Sequence, residues 1–264
     1  MHLSDLEIQM FAEFSAELAE AAGKAILPFF RTRMSVEDKG GGRFDPVTLA
    51  DKAAERAMRE MIGRRFPEHG IHGEEEGHEP GRSPITWVLD PIDGTRAFIT
   101  GLPQWGTLIA LNDGEGPRVG IMNQPFTRER FVGTPSGAWL NGMSIQVSPC
   151  ASLAHARISC TSPQVFATRE QLETFNRVAD RVRLVRYGGD CYAYCMLACG
   201  HIDAVIEAGL KPYDIQALMP IIQSAGGIVS TWDGGDPQHG GSIVACGDKR
   251  LHAEILHFLD QPAV

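Results

Sequence analysis

Two aspartates end an apolar run in the sequence WVLDPIDGTRAFITG, which spans residues 87–101. Asp90 closes the run, and Asp93 comes three residues later, directly before Gly94 and Thr95. Two carboxylates this close to a buried strand repel each other unless a cation or a shared proton separates them. Oxygen ligands without matching histidine or cysteine favour Mg²⁺ or Mn²⁺ over zinc. The stretch therefore predicts a divalent-cation site, with an ordinary Asp-Gly turn as the alternative.

Gly94 and Thr95 indicate where a phosphate group would bind. If a short helix begins near Gly94, its first N–H groups point toward the metals, and such N–H groups bind anions. Two divalent ions about 4 Å apart would polarise a phosphate there and activate water as a nucleophile. The pattern thus favours metal-dependent hydrolysis of a phosphate ester.

Three further acids stand out by their sequence context, namely Asp51, Glu74 and Asp214. Glu74 opens a run of three glutamates after Gly73, while Asp51 and Asp214 fall at the starts of predicted helices. An aspartate at a helix N-terminus is often a cap, so for either residue alone a capping role is the alternative.

Three motifs, in this order and spacing, resemble those of the inositol monophosphatase family of Mg²⁺-dependent, lithium-sensitive phosphatases. They are DPVTLAD at 45–51, GEE at 73–75 and DPIDGT at 90–95. The resemblance covers essentially the whole chain. It implies an α/β fold of the mixed α+β type, a five-layer αβαβα sandwich. Residues 1–150 would form an N-terminal α+β half with most metal ligands, and residues 151–264 a C-terminal α/β half that completes the metal and substrate site.

The resemblance also implies roles for individual residues. The ligands of two or three Mg²⁺ ions, or of Mn²⁺ in their place, would be Glu74, Asp90, Asp93, Asp214 and the backbone carbonyl of Ile92. Asp51 and Thr95 would orient and deprotonate the attacking water, which Glu74 would help to hold. Lys39, beside the glycines at 40–42, would belong to a flap that closes over the third ion. The family usually ends this set with Trp-Asp, whereas here Tyr213 precedes Asp214, which keeps the ligand and changes its neighbour.

An additional acid in the C-terminal half bears on the choice of substrate. In sugar-phosphate members, the segment matching residues 188–191 usually presents small or hydroxyl residues, and a glutamate at the position of Glu207 accepts substrate hydroxyls. Asp190 adds a second carboxylate, which fits a cationic leaving group because a polyol needs no compensating charge. Segments 101–107, 186–194 and 210–215 resemble the histidinol-phosphate phosphatase branch, and histidinol carries an ammonium and an imidazole. The alternative for Asp190 is a helix cap.

The resemblance thus implies hydrolysis of L-histidinol phosphate to L-histidinol and phosphate, a step of histidine biosynthesis. The substrate contacts would be Gly94, Thr95, Arg186, Gly189, Asp190, Glu207 and Asp214. The alternatives are inositol 1-phosphate, another sugar or nucleotide phosphate such as phosphoadenosine phosphate, and a binding protein that keeps the fold without turnover. An aspartyl-phosphate route of the haloacid-dehalogenase type needs Asp-x-Asp, whereas this chain has Asp-x-x-Asp. Because family members are commonly dimers, we expect a homodimer.

The elements that position these residues follow from capping residues and apolar periodicity. A helix is predicted over residues 4–31, opened by the capping box of Ser4 and Glu7, and another over 48–66 with Asp51 in its first turn. A buried strand is predicted at 85–89.

Beyond this strand, residues 105–147 predict an antiparallel meander with turns at 112–116 and 134–137. After Pro149 the pattern changes to alternating strands and helices, with a weak boundary near residue 150. The helices are predicted at about 169–179, 190–200, 214–225 and 249–259.

Composition and charge exclude several classes of function. The 264 residues are 43% hydrophobic, enough for one large globular unit or two tightly joined halves. A formal charge of −9 and a pI near 5.5 argue against binding nucleic acid or an anionic membrane. No apolar segment approaches the roughly 18 residues needed to cross a bilayer, and the first residues lack the pattern of a signal peptide. We therefore expect a cytoplasmic protein whose partner is a small-molecule phosphomonoester.

Cysteine and histidine clusters suggest other sites less strongly. Cys191, Cys195 and Cys199 recur at helical spacing, which favours one packed helix face over a thiolate metal site. His69, His72 and His78 surround the glutamate run, and histidines in a polar loop are usually solvated, so zinc is the weaker interpretation.

Overall fold

The computed structural model describes residues 3–32, 37–38 and 46–260. The two short strands β1 (Glu37–Asp38) and β2 (Pro46–Val47) pair antiparallel. The predicted flap residue Lys39 and the glycines at 40–42 lie outside the described residues. None of the described helices has the length and apolar character needed to cross a membrane.

The first layer consists of helices α1 (Asp5–Ile26) and α2 (Leu49–Arg65). Both begin where the sequence predicts, since Ser4 and Thr48 each form a capping box. The predicted extension of α1 to residue 31 is wrong. Pro28 has no N–H to donate to the carbonyl of Lys24, so the helix cannot continue through it.

The second layer is an eight-stranded sheet with the order β10-β9-β8-β7-β6-β5-β3-β4. Its strands are β3 (Gly70–Gly73), β4 (His78–Glu79), β5 (Thr86–Asp93), β6 (Gly106–Asn112), β7 (Pro117–Gln124), β8 (Glu129–Thr134), β9 (Gly137–Leu140) and β10 (Met143–Ser144). β3 and β5 run parallel, and β5 to β10 pair antiparallel in sequence order. The predicted meander is therefore confirmed.

The C-terminal part contains a five-stranded sheet with the order β12-β11-β13-β15-β14. Its strands are β11 (Arg157–Cys160), β12 (Leu184–Tyr187), β13 (Ala204–Leu210), β14 (Ile228–Thr231) and β15 (Gly241–Cys246). The helices beyond α2 are α3 (Thr95–Ile99), α4 (Arg169–Ala179), α5 (Asp190–Ala198), α6 (Pro212–Ile215), α7 (Leu218–Ser224) and α8 (Lys249–Leu259), with 3₁₀ turns at Leu153–His155, Pro163–Val165 and Pro237–His239.

Helices α4 and α8 match the predicted bounds, and α5 ends at Ala198, two residues before Gly200 takes a positive φ of 77°. The single helix predicted at 214–225 is wrong, because the structure has α6 and α7 there. Pro220 cannot donate to the carbonyl of Gln216, and a proline is tolerated only in the first turn of a helix, so a new helix starts at Leu218.

Three hydrophobic cores hold five layers together, since the second core extends across three of them, and the predicted αβαβα sandwich is confirmed. The first core packs α1 and α2 on one face of the eight-stranded sheet, where Trp87 and Leu89 point. The second joins the opposite face, where Val88 points, to α5, α7 and one face of the five-stranded sheet. The third covers the other face of that sheet with α4 and α8. This alternation along β5 follows the two-residue period of a strand.

Helix α7 packs unusually closely on the first sheet. A Cβ at Gly120 of β7 would lie 2.0 Å from the carbonyl oxygen of Ala217, which precedes α7, so only glycine fits there. The second core therefore contains residues from both sides of position 150. The division into 1–150 and 151–264 stays a prediction.

Candidate active site

A β-bulge brings Asp90 and Asp93 to one side of β5. Side chains three residues apart point to opposite faces of a regular strand. Here Asp90 pairs with Leu108 and Asp93 with Gly106, so three steps along β5 match two along β6. The extra residue restores Asp93 to the side of Asp90.

The bulge is tied to β6 by one side chain. The hydroxyl of Thr107, which is fully buried, donates a hydrogen bond of 2.8 Å to the carbonyl oxygen of Pro91. Pro91 lies between the two aspartates, so this bond fixes the backbone on which both depend.

The third acid reaches the same place from α6. Carboxylate oxygens of Asp90, Asp93 and Asp214 all lie within 4.8 Å of one another. Asp214 also accepts a bond of 2.7 Å from the backbone N–H of Lys211, which anchors it at the start of α6. Burial, followed by repulsion from the neighbouring acids, raises the pKa of Asp93 to about 8 and that of Asp214 to about 7. The same causes raise the pKa of Asp90 well above its usual range.

This cluster fits a hard divalent cation. Oδ1 of Asp90 is buried and makes no hydrogen bond within the described part of the chain. Among residues 3–32, 37–38 and 46–260, these three aspartates are the group of acids, histidines or cysteines that meets closely enough to hold an ion. A donor set of carboxylate oxygens alone suits Mg²⁺.

Asp51 and Glu74 extend the acidic group. Asp51 is 1% exposed, and its Oδ2 accepts bonds from the N–H of Thr48 at 2.9 Å and from the Thr48 hydroxyl at 2.6 Å. Its Oδ1 is buried without a hydrogen-bond partner among the described residues. Burial is the main cause that raises the pKa of Asp51 to about 6, and the charge of Glu74 adds to it. The charge of Glu74 acts on Asp51 as well as on Asp90 and Asp214, and its N–H is bonded to the Leu89 carbonyl at 3.1 Å.

Asp51 also has the capping role that the sequence left open. It completes the capping box of α2 through Oδ2, while Oδ1 faces away from that bond. A cap and a contact with the site are therefore compatible in one side chain.

Thr95 is the first residue of α3, as the sequence predicts. Its hydroxyl donates a bond of 3.0 Å to the carbonyl oxygen of Ile92, the predicted backbone ligand. A carbonyl oxygen has two lone pairs, so this bond leaves one for a cation. Gly94 has a φ of 84°, and a Cβ there would lie 2.7 Å from the Gln104 carbonyl oxygen, which explains the glycine.

Part of this group of residues lines a cleft of about 320 Å³. The N-terminal wall consists of Glu74, Asp93, Gly94, Thr95 and Arg96, and the C-terminal wall includes Thr161, Asp190, Tyr194 and Glu207. Lys211, Tyr213 and Asp214 also border the cleft.

A hydrogen-bonded acid forms the centre of the C-terminal wall. Glu207 is 5% exposed, and it accepts bonds from the N–H of Thr161 at 2.6 Å and from the Tyr194 hydroxyl at 3.2 Å. Burial raises its pKa despite these bonds. Burial and the charges of Asp93 and Glu207 likewise raise the pKa of Asp190, although the charge of Arg96 lowers it.

Asp190 is not the cap of α5. Gly189 occupies the N-cap position, and Asp190, the first helical residue, has a positive φ of 43°. Such a conformation is uncommon outside glycine and is often found at functional sites.

Two predicted substrate contacts differ in position. Gly189 is buried beside Asp190 and Arg186 is exposed on β12, and neither residue lines the cleft. The roles of Gly189 and Arg186 as contacts therefore stay predictions. Arg96 and Lys211 line the cleft but were not predicted, although Arg96 directly follows Thr95 and its position in that motif could have indicated it.

The histidine and cysteine clusters have structural surroundings. Nδ1 of His69 lies 3.1 Å from the Trp87 indole nitrogen, and the His72 ring packs edge-on against Tyr213, the residue that replaces the family's usual tryptophan. Cys191 and Cys195 are buried in the second core, and burial raises the pKa of both thiols far above the usual range. A thiolate metal site is therefore not supported, in agreement with the prediction of a packed helix face.

Comparisons with known proteins agree with this geometry. Residues 7–261 match the profile of the inositol monophosphatase family. A chloroplastic bifunctional phosphatase of Arabidopsis thaliana is 41% identical over 270 residues, which cover 98% of this chain and 77% of that protein. A histidinol-phosphatase of Chlorobaculum parvum is 37% identical over 81% of this chain and 83% of its own length. The structure of an inositol monophosphatase from Zymomonas mobilis matches with a TM-score of 0.88 at 39% identity, over 98% of this chain and 100% of that one.

Proposed function

Because the chain belongs to the inositol monophosphatase family, we propose that it hydrolyses L-histidinol phosphate to L-histidinol and inorganic phosphate. A phosphatase of this family acts on a small-molecule phosphate ester. The identity of that ester is what we infer from the residues of the cleft. The similarity to the Chlorobaculum parvum histidinol-phosphatase supports this choice.

The observation that carries the choice of substrate is the pair of acids, Asp190 and Glu207, on the C-terminal wall. Burial raises the pKa of both Asp190 and Glu207, and repulsion from Asp93 and Glu207 raises that of Asp190 further. A cationic leaving group would offset this repulsion when it binds, whereas an uncharged polyol would not. The ammonium and imidazole of histidinol supply such charge.

We assign two or three Mg²⁺ ions, or Mn²⁺ in their place, to the cluster around β5. Glu74, Asp90, Asp93, Asp214 and the carbonyl of Ile92 would hold them. When bound, such ions polarise phosphate oxygens and lower the pKa of coordinated water. The unpaired Oδ1 of Asp90 and the mutual repulsion of three clustered aspartates support this assignment.

The protein residues would place the reactants on either side of the phosphorus atom. We infer that Gly94 and Thr95 contact the phosphate, since both border the cleft next to Asp93. Asp51 would accept a hydrogen bond from the attacking water through Oδ1, because Oδ2 is already held by Thr48. Glu74 and the Thr95 hydroxyl would orient the same water.

In the proposed reaction the water oxygen forms a new bond to phosphorus, and the bond from phosphorus to the histidinol oxygen breaks. The water gives up a proton to Asp51, and the leaving oxygen takes up a proton from solvent as it departs as the alcohol. Asp190 and Glu207 would hold the cationic part of histidinol in line with this displacement, so their contribution is orientation.

Inositol 1-phosphate is the second candidate substrate. The similarity to the Zymomonas mobilis inositol monophosphatase favours it, and Glu207 with its fixed hydrogen bonds could accept hydroxyl groups. Inositol 1-phosphate, however, would bring no cationic group to Asp190.

Phosphate release from the two esters at equal concentration, with and without Mg²⁺, tests the proposal. We expect kcat/KM for histidinol phosphate to exceed that for inositol 1-phosphate by at least about tenfold, which corresponds to about 1.4 kcal/mol. A preference for inositol 1-phosphate would contradict the assigned substrate, and turnover that is independent of Mg²⁺ would contradict the assigned cofactor. Inhibition by Li⁺ is expected from the resemblance.

The homodimer and the cytoplasmic location predicted from the sequence are kept as proposals. Light scattering of the purified protein tests the first, and a monomer at micromolar concentration would contradict it.

A further inference from the structure

A buried glutamate lies on α2 one helical turn after Asp51. The side chain of Glu55 is 0% exposed and accepts three hydrogen bonds. Its Oε2 accepts from the backbone N–H of Glu75 at 2.7 Å, and its Oε1 accepts from the backbone N–H of Glu76 at 3.0 Å. Oε1 also accepts from Nε of Arg59 at 2.8 Å. A buried carboxylate with three donors is fully held in place.

These bonds hold the turn that begins with Glu74. Glu75 and Glu76 follow Glu74 directly, and the turn is closed by a bond of 3.0 Å from the N–H of Gly73 to the carbonyl of Gly77. Arg59 donates to the same carbonyl of Gly77 through Nη2. Glu55 therefore binds the N–H groups of the turn, and Arg59 binds the carbonyl that closes it.

Glycine at position 73 is part of the same arrangement. A Cβ there would lie 2.0 Å from Oε1 of Glu55, so any side chain would push the carboxylate away. The turn and the carboxylate are thus packed in direct contact just before Glu74.

We propose that Glu55 is a positioning residue that sets the place of Glu74 relative to Asp51. Residues four apart on a helix lie on one face about one turn from each other, so α2 fixes the separation of Asp51 and Glu55. Glu55 then transmits that separation to Glu74 through the two N–H groups that follow it. This inference rests on the proposed function, in which Asp51 and Glu74 share the attacking water and Glu74 holds a cation.

The alternative is that Glu55 and Arg59 only stabilise α2 as an ion pair at i and i+4. The two interpretations differ in what a substitution changes. Loss of an ion pair lowers stability alone, whereas loss of a positioning contact lowers kcat and cation affinity more than KM for the ester.

The test compares Glu55→Gln with Glu60→Gln. Glu60 lies on the same helix, is 57% exposed and pairs with Arg64 at 3.1 Å, also at i and i+4, but it does not contact the turn. In Glu55→Gln the amide NH₂ must face one of the N–H donors. We expect a 10- to 100-fold loss in kcat and in Mn²⁺ affinity, the range seen for contacts that orient metal ligands. KM for the ester should change less than about threefold.

Glu55→Asp should recover part of the loss, because the shorter carboxylate still accepts from one N–H. Mn²⁺ affinity is measured by calorimetry, and the melting temperature of the metal-free protein is recorded for each variant. Kinetic constants and Mn²⁺ affinity of Glu55→Gln within twofold of those of Glu60→Gln would overturn the proposal.

If Glu55→Gln does not fold, Arg59→Lys decides the question. Lysine keeps the charge but cannot bond to Glu55 and Gly77 together as the guanidinium does. We expect it to weaken Mn²⁺ affinity about tenfold, the lower end of that range, and unchanged affinity would overturn the proposal. A wild-type protein that releases no phosphate from either ester would refute the proposed function, while the Mn²⁺ measurements would still decide the role of Glu55.

Discussion

Oδ2 of Asp93 accepts a hydrogen bond of 2.6 Å from the backbone N–H of Cys191, although the two residues lie 98 positions apart in the sequence. Cys191 is the second residue of α5, directly after Asp190. The bond therefore joins the cation-binding edge of the first sheet to the helix that presents Asp190. This carboxylate therefore links the two walls of the cleft directly.

Asp93→Asn should abolish turnover and yet stabilise the protein in EDTA. Burial and repulsion from Asp214 raise the pKa of Asp93 from 3.8 to about 8, so without metal its cost to stability grows as the pH rises from about 4 to 8 and is complete above that value. At pH 8.5 we expect the neutral amide to add about 1 kcal/mol, or roughly 2–4 °C in melting temperature. The amide oxygen can still accept from Cys191. Calorimetry in EDTA and in Mg²⁺ measures the melting temperature of each protein without and with metal. If Mg²⁺ raised the melting temperature of the wild type and of Asp93→Asn equally, the assignment of Asp93 as a ligand would be contradicted.

Thr95→Ala should lower kcat by about 10²-fold or more, as expected for the loss of a group that orients a reactant. Within the part of the chain that the structure describes, the hydroxyl donates to the Ile92 carbonyl beside the cleft, so the melting temperature should change little. Thr95→Ser keeps the hydroxyl and should retain most of the activity. Initial rates at saturating Mg²⁺ measure the effect, and an alanine variant with most of the wild-type rate would refute the role of Thr95.

Asp190→Asn should reduce kcat/KM for histidinol phosphate by about tenfold while leaving that for inositol 1-phosphate unchanged or higher, because a charged contact is lost only with the cationic ester. Asparagine tolerates positive φ, so the start of α5 should be preserved. Parallel assays of both esters measure the change in preference. An equal loss on both would show that Asp190 does not select the leaving group.

Thr107→Val should destabilise the protein by about 1–3 kcal/mol, because the replacement has nearly the same shape but leaves the buried carbonyl of Pro91 without its donor. The bulge between Asp90 and Asp93 should become less rigid, and kcat should fall with stability. Thr107→Ser keeps the hydroxyl and serves as the control. Urea unfolding and phosphate release measure the two effects, and full activity in the valine variant would mean that the bulge needs no support from β6.

The hydrogen bonds of Asp113 predict that the free energy of unfolding falls in acid, independently of the active site. Burial raises its pKa, but hydrogen bonds from Arg118 and from the N–H groups of Glu115 and Gly116 outweigh it and lower the pKa below the usual 3.8. The ionised form therefore stabilises the fold above that pH, and the contribution is lost as the pH falls through the lowered pKa. Asp113→Asn should cost about 1–2 kcal/mol at neutral pH.

The wild-type advantage over Asp113→Asn should stay constant between pH 7 and 5 and shrink below about pH 4. The free energy of unfolding in urea at several pH values measures it. An advantage that grows as the pH falls would have the wrong sign and would refute the interpretation.

The sequence predicted most elements because their determinants are local. The capping box at Ser4 indicated the start of α1, Asp51 in a first turn indicated that of α2, and alternation indicated the meander. The errors arose at Pro28 and Pro220, where a missing N–H ends a helix whose apolar pattern continues. The layered fold itself came from the resemblance of three motifs to a known family.

The site was harder to predict where it depends on backbone geometry. The spacing of Asp90 and Asp93 suggested a cation site, but nothing in the composition of β5 indicates the bulge that aligns them. Glu55 was missed because the two partners that tie it to the turn are backbone N–H groups, which any residue can provide. The positive φ of Asp190 is likewise imposed by the tertiary setting.

The contact between Gly120 and Ala217 has one more consequence. The main chain before α7 packs directly against the main chain of β7. The core between the two sheets is therefore made of apolar residues from both parts of the chain, and neither part covers its own share of that core. A chain severed at residue 150 would leave each fragment with an open apolar face, so neither fragment is expected to survive alone as a folding unit. The two fragments would have to fold onto each other.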